Sequence, residues 1–168
     1  MAKDGTLLWT PSDDRIATSR LTAFSQQVAA RTGLNVSDYA ALHAFSIDDR
    51  ETFWDMVWDF TGVVGDKGGR VLANDQMPGA RFFPEGALNF AENLLAKAGP
   101  DDADALVFWG EDRVKTRMSW GQLRDLVSRL QQALKAAGVG KGDRVAGMLP
   151  NIPEAIAAML AASSLGAV

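Results

Sequence analysis

Residues 143–168 constrain this chain more than any other stretch. They read Asp-Arg-Val-Ala-Gly-Met-Leu-Pro-Asn-Ile-Pro-Glu-Ala-Ile-Ala-Ala-Met-Leu-Ala-Ala-Ser-Ser-Leu-Gly-Ala-Val. Val145–Leu149 is an uninterrupted apolar run, the pattern of a strand covered on both faces of a sheet. Pro150 turns the chain, and the segment after Asn151 is a helix apolar on most of its sides. Such a helix must be covered by neighbours. The few residues after it cannot supply that cover, so the sequence reads as the front end of a larger α/β enzyme.

The preceding segments alternate in the same way. Ala105–Trp109 and Val114–Met118 read as two arms of a hairpin, joined by a turn at Gly110–Arg113. Ser119 with Gln122 is a capping box at the head of an amphipathic helix. Leu123, Leu126/Val127, Leu130 and Ala133/Leu134 recur along it at helical spacing, and Gly138 closes it. Gly140–Asp143 is a turn. Strand, helix, strand and helix in succession predict an α/β layer with right-handed crossovers.

The first hundred residues read differently, as a mainly helical unit. Ser12 and Asp13 open a helix with a stripe of Ala17, Leu21, Phe24 and Val28, stopped by Gly33. A short helix is predicted over Ser37–Ala44. Ser46 is the expected N-cap of the next, with Asp48, Asp49 and Glu51 in its first turn, where acids complement the helix dipole. Gly62 ends that helix. Residues 62–85 read as Gly-, Pro- and Asp-rich loop, with an extended piece expected at Ala80–Phe83. Asn89 with Glu92 caps a helix that Gly99-Pro100 terminates. The polar run Gly-Pro-Asp-Asp-Ala-Asp at 99–104 marks a boundary, giving domains at 1–100 and 101–168.

Composition excludes several functions. The net charge is −4 and there is no basic run able to neutralise a row of phosphates, so nucleic acid is not an expected partner. With no cysteine there can be no disulfide, thiolate metal site or cysteine nucleophile. The opening residues carry no secretory signal pattern, and Ile156–Leu165 is too short for a membrane span. A cytoplasmic protein is expected.

The residues that could carry chemistry all have simpler explanations. Gly65-Asp-Lys-Gly-Gly69 puts its lysine before the paired glycines and no helix follows, unlike a phosphate loop. Gly138, Gly140 and Gly142 break the dinucleotide spacing and precede a strand. His43 is the only histidine, with no visible nucleophile or orienting acid, and reads as a helix-end or core residue. The neighbouring acids Asp13/Asp14, Asp48/Asp49 and Asp101/Asp102 diverge on a helix and suit caps and a linker. Asn35-Val36-Ser37 reads as a helix start, not a glycosylation acceptor. Phe45, Phe53, Trp54, Trp58 and Phe60 form either core or a docking face. Asn151, beyond a strand's C-terminal end, reads chiefly as a helix cap, with ligand contact as the alternative. No metal-ligand spacing is visible. The residues thus give an architecture and assign no catalytic, cofactor-binding or metal-binding position.

A resemblance goes further. The hairpin, then Ser-Trp-Gly-Gln-Leu at 119–123, Ala-Ala-Gly-Val at 136–139, Lys-Gly-Asp-Arg-Val-Ala-Gly-Met-Leu-Pro-Asn at 141–151 and Ala-Ala-Ser-Ser-Leu-Gly-Ala-Val at 161–168 resemble the opening of the adenylate-forming superfamily. Phe53-Trp54 and Pro84–Leu95 are similar to the N-terminal cap of its acetyl-CoA synthetase branch. Met77–Leu95, Leu7–Pro11 and Tyr39–His43 are similar to the acetoacetyl-CoA synthetases within that branch, with Phe82 and Phe90 replacing a usual Trp and Tyr. The resemblance implies a parent ligase that activates acetoacetate with ATP and Mg2+ through an acyl-adenylate, then passes the acyl group to CoA. It also implies that the phosphate loop, the acidic ribose-binding residue and the catalytic lysine lie outside residues 1–168. Its implied partners are therefore acetoacetate and the remainder of the ligase, and no cofactor is expected to bind this chain tightly. The rival readings are a related ligase for acetate or propionate and a non-catalytic α/β interaction domain.

Overall fold

The computed structural model describes residue 5 and residues 7–96, 99–111 and 113–168. The expected helix stop before Gly99 and the turn at 110–113 fall partly on residues 97, 98 and 112, which lie outside the described residues, as do positions 1–4 and 6 of the opening segment. The elements run α1 (Asp13–Ala17), α2 (Arg20–Thr32), α3 (Tyr39–Asp48), α4 (Arg50–Thr61), β1 (Gly65–Asp66), β2 (Leu72–Ala73), β3 (Arg81–Phe82), β4 (Ala87–Leu88), α5 (Phe90–Ala96), β5 (Asp104–Trp109), β6 (Lys115–Ser119), α6 (Trp120–Ala136) and α7 (Pro153–Ser164). They fall into two compact units, one of residues up to Val63 with Gly69–Pro84, the other of Val64–Gly68 with Glu85–Val168.

In the first unit the single helix expected after Ser12 is two. Ser12 caps α1, and Ser19 starts a second helix by accepting the Thr22 N–H at 3.1 Å. The Thr18 and Thr22 hydroxyls donate to the Asp14 and Ile16 carbonyls at 2.8 and 2.6 Å, so local side-chain bonds compete with the helical ladder there. Only Phe24 and Val28 of the expected stripe are buried. Gly33 ends α2 with φ of 74°, a conformation in which a side chain would be strained.

The next boundary also differs from expectation. Ser46 is not an N-cap; it lies inside α3, where its hydroxyl donates to the His43 carbonyl at 2.7 Å. Asp38 caps α3 and Asp49 caps α4, each carboxylate accepting an N–H three residues on. Carboxylates at both sites also meet the positive end of the helix dipole, which a mid-helix serine does not.

Phe24, Val28, Val36, Leu42, Phe45 and Met56 form this unit's core, with Phe53, Val57 and Phe60 packed against it. Phe53 stands edge-on to Phe24 at 5.7 Å and to Phe45 at 5.9 Å between centroids. The adjacent face of α4 is also used. Trp54 meets Phe82 at 5.4 Å and Trp58 meets Phe83 at 4.7 Å, because the antiparallel pair β2–β3 delivers both phenylalanines to it. The aromatic set is therefore mainly core, with Trp54 left 39% exposed.

The second unit is built on the β5–β6 hairpin, in antiparallel register with Leu106 opposite Met118 and Phe108 opposite Thr116. Its helix α6 carries the full capping box, Ser119 accepting the Gln122 N–H and Gln122 accepting the Ser119 N–H. Leu123, Val127, Ala91, Ala157, Leu160 and Ala161 make the core where α5, α6 and α7 pack together. The apolar last helix is thus covered on one side by helices that precede it in the chain, a cover the linear sequence did not suggest. Helix α7 begins without a side-chain cap: its N-cap is Ile152, not Asn151. Pro153 at the first helical position drives the residue before it into extended backbone (Ile152 φ −119°, ψ 160°), which fixes the start one residue late for Asn151. Among the described residues no helix is long and apolar enough to cross a membrane.

Candidate functional site

The part of the molecule best placed for a site is where the chain enters and leaves α7. Gly140–Asp143 forms the expected turn: the Asp143 carboxylate accepts the Gly140 N–H at 2.8 Å, and Gly142 takes φ of 86°. The chain then runs beside its own last residues. Gly142 N–H donates to Gly166 C=O at 2.9 Å, Val168 N–H to Asp143 C=O at 2.8 Å, and Val145 N–H to Val168 C=O at 2.7 Å. One residue bonded to two positions flanking its opposite number is the parallel pattern. This is one rung of the parallel sheet that the sequence predicts.

The rung does not extend along Val145–Leu149 as expected. Residues 146–149 make no ladder bonds among the described residues, Met148 is fully exposed and Leu149 is 52% exposed. A strand gains its hydrogen bonds only from neighbours, and among the described residues Val168 is the one that bonds along this segment. Pro150 and Asn151 stand at the end of this segment, both exposed, with Pro153 and Glu154 opening α7 after them.

Beside that opening is a groove of about 510 Å³ lined by Phe108, Met118, Asp125, Arg129, Pro153 and Glu154, among others. Its cations are matched by acids: Arg129 pairs with Asp125 at 3.0 Å one helical turn away, and Arg117 pairs with Asp104 across the hairpin. Both pairs are largely exposed, where ion pairs contribute little. A larger groove of about 790 Å³ lies in the other unit, walled by Trp9, Ile16, Ala29, Val36, Tyr39 and Leu42 together with polar residues.

The structure keeps the sequence candidates apart. Gly65 and Asp66 are taken up by the β1–β4 pair, opposite Leu88 and Ala87, and the Asp66 carboxylate accepts the Gly68 N–H at 2.9 Å. His43 is neither core nor a helix end: it is exposed in the middle of α3, stacked on Tyr39 at 5.9 Å. Its position follows from the stripe of α3, which buries Leu42 and Phe45 and turns residue 43 outward. Asp13 and Asp14 sit in the first turn of α1, Asp49 is a cap, and Asp101 pairs with Arg124. In the Asn35–Ser37 motif Val36 is core. Among the described residues no three His, Cys, Asp or Glu side chains stand together as a metal site. The residue that sequence reasoning missed is Asn93, which brackets Val64 with both ends of its amide at 2.8 and 2.7 Å. The signal was its spacing of four from Asn89.

Known proteins resemble this arrangement along nearly its whole length. Residues 39–94 match the acetyl-coenzyme A synthetase N-terminus and residues 95–168 match the AMP-binding enzyme family. An acetoacetyl-coenzyme A synthetase of Rhizobium meliloti is 50% identical over 96% of this chain, which covers 25% of that protein. A malonamoyl-CoA synthetase of Penicillium aethiopicum is 33% identical over 96% of this chain and is covered over 23%. The solved acetoacetyl-CoA synthetase of Streptomyces lividans superposes with a TM-score of 0.84 at 41% identity, covering 96% of this chain and 25% of that one. The chain therefore spans about a quarter of the length of these relatives. By sequence and by fold, the chain is similar to the N-terminal quarter of the acetoacetyl-CoA synthetases, and its residues 95–168 are similar to the AMP-binding enzyme family.

Proposed function

We propose that this chain serves as the N-terminal part of an ATP-dependent acetoacetate–CoA ligase. The observation that carries the reading is the match to one enzyme class over 96% of the chain, in sequence and in fold together. In such a ligase the acetoacetate carboxylate attacks the α-phosphorus of ATP and pyrophosphate leaves. The CoA thiol, giving up its proton, then attacks the acyl carbonyl and AMP leaves. Each step needs donors aimed at developing charge on phosphate or on the acyl oxygen.

The described residues do not build such donors. Gly65 serves a strand pair, the Gly68 N–H is taken by the Asp66 carboxylate, Gly140 and Gly142 serve a turn, and the cations of the 510 Å³ groove are matched by acids. We assign ATP, CoA and Mg2+ to the remainder of the ligase. To residues 1–100 we assign the role of an N-terminal cap, and to 101–168 the opening layer of the adenylate-forming domain, in a cytoplasmic enzyme. The rival reading, a docking module built on the tryptophans of α4, is weakened because Phe82 and Phe83 already occupy those rings.

The acid itself has one specific competitor. Malonamate and acetoacetate share a carbonyl β to the carboxylate and differ by an amino group in place of a methyl, and a malonamoyl-CoA synthetase is among the relatives. The test is AMP formation by the full-length protein with acetoacetate, malonamate, acetate and propionate in turn, each with ATP and CoA. Acetoacetate is expected to give the highest kcat/KM. A preference for acetate or propionate overturns the assignment.

A further inference from the structure

Asn89 bonds in three directions. Its Oδ1 accepts the Glu92 N–H at 3.0 Å and so caps α5. Its Nδ2 donates to the Ser163 carbonyl at 2.9 Å and the Ser164 carbonyl at 3.4 Å, in the last turn of α7, where helix carbonyls have no partner within the helix. Its own carbonyl accepts both the Asn93 N–H and the Asn93 Nδ2, at 3.1 and 3.0 Å, and Asn93 holds Val64. From the other side, Gln131 Nε2 donates to the Ser164 hydroxyl at 2.8 Å. A half-buried polar chain thus runs from Val64 through Asn93 and Asn89 to the end of α7 and on to α6.

What lies beyond the end of α7 gives this chain of bonds a consequence. The Ser163 carbonyl that receives Asn89 also accepts the Gly166 N–H at 3.0 Å, the bond that turns the backbone out of the helix. Two residues later Val168 makes the parallel rung with Asp143 and Val145. We propose that Asn89 is a positioning residue, a two-ended clasp that caps α5 with its oxygen and, with its nitrogen, fixes the exit from α7 and hence the Val145–Val168 rung. It joins the region that matches the acetyl-coenzyme A synthetase N-terminus, which ends at residue 94, to the region that matches the AMP-binding family, which begins at 95. The side-chain amide carries its acceptor and its donor on separate atoms; an aspartate carboxylate keeps the cap but has no proton to donate, and a serine hydroxyl keeps the cap on the one oxygen that would also have to donate to the Ser163 carbonyl. The inference does not depend on which acid the ligase uses.

Native-state hydrogen exchange on the intact protein, compared with Asn89→Asp and Asn89→Ser, separates the two ends of the clasp. The expected result is exchange faster by on the order of tenfold at Gly166, Val168 and Val145, the scale of one lost hydrogen bond. The Asn93 amide in α5 and the Phe24 and Val28 amides in α2 are expected to keep their rates. Serine is the neutral control for the carboxylate of the aspartate variant, and either variant alone suffices if the other does not fold. Unchanged rates at Gly166, Val168 and Val145 overturn the proposal, as does equal acceleration across α2, α5 and the rung. Failure of both variants to fold also overturns it, because a clasp confined to the α7 exit leaves α2 and α4 standing.

Discussion

Val145 and Val168 lie side by side in parallel, joined by a 2.7 Å bond from the Val145 N–H to the Val168 carbonyl, and the apolar residues after Val145 lie open. A central sheet strand in a parallel α/β fold is apolar because both its faces are covered. Here Met148 and Leu149 have that composition without that cover.

Exposed apolar surface of this kind binds hydrophobic dyes and promotes association. The 168-residue chain should therefore bind such a dye in its folded state. Replacing Met148 and Leu149 with serine should lower the fluorescence at least severalfold while changing stability by less than about 0.5 kcal/mol each, as for exposed sites. Fluorescence titration alongside urea unfolding checks both, and a dye signal insensitive to these two residues contradicts the account.

The helical core of the second unit makes a sharper prediction. Leu160 is fully buried where α5, α6 and α7 meet, whereas Met159, next to it in sequence, is 50% exposed. Leu160→Ala should cost about 2–5 kcal/mol through lost burial and the cavity left behind. Met159→Ala should cost well under about 1.5 kcal/mol, since half of that side chain is already in water. The difference between the two urea midpoints is the measurement. Equal shifts would mean that α7 does not pack as described.

The glycine-rich segment at 65–69 is predicted to fail through backbone geometry, not through a lost ligand. Gly68 has φ of 72°, and a Cβ there would stand 2.7 Å from the Glu85 Cβ. Gly68→Ala should destabilise the protein by about 1–3 kcal/mol, the range for a residue held in left-handed backbone. Lys67→Ala, which removes the charge and leaves Gly68 itself in place, should leave the affinity of the full-length protein for ATP unchanged. Isothermal titration with ATP and thermal melts of the two variants distinguish a structural turn from a phosphate cradle.

Local patterns were legible where bonding is local. The capping box at Ser119 and Gln122, the helix stops at Gly33 and Gly62, the turn at 140–143 and the hairpin of β5 and β6 each follow from residues within a few positions of one another. Misreadings arose where competing local bonds existed. Ser46 had the residue type of a cap, but Asp49 combined a cap with a favourable charge, and Asn151 lost its place to the constraint that Pro153 puts on Ile152. The strand at 145–149 was legible as composition, yet forming a ladder depends on partners distant in sequence, and among the described residues Val168 is the one that bonds to it. The amide network at Asn89 and Asn93 was half legible: the cap on Glu92 is local, whereas the bonds to Ser163 and Ser164 cross some seventy-four positions of sequence. No catalytic site was read from the residues, and the functional assignment came from resemblance.

Acetoacetate-dependent exchange of pyrophosphate into ATP reports adenylate formation by itself, without requiring CoA. Robust exchange stimulated by acetoacetate is expected of the full-length protein, and none above background of residues 1–168 alone. Exchange catalysed by the 168-residue chain itself, or a full-length protein whose exchange ignores acetoacetate, would contradict that expectation.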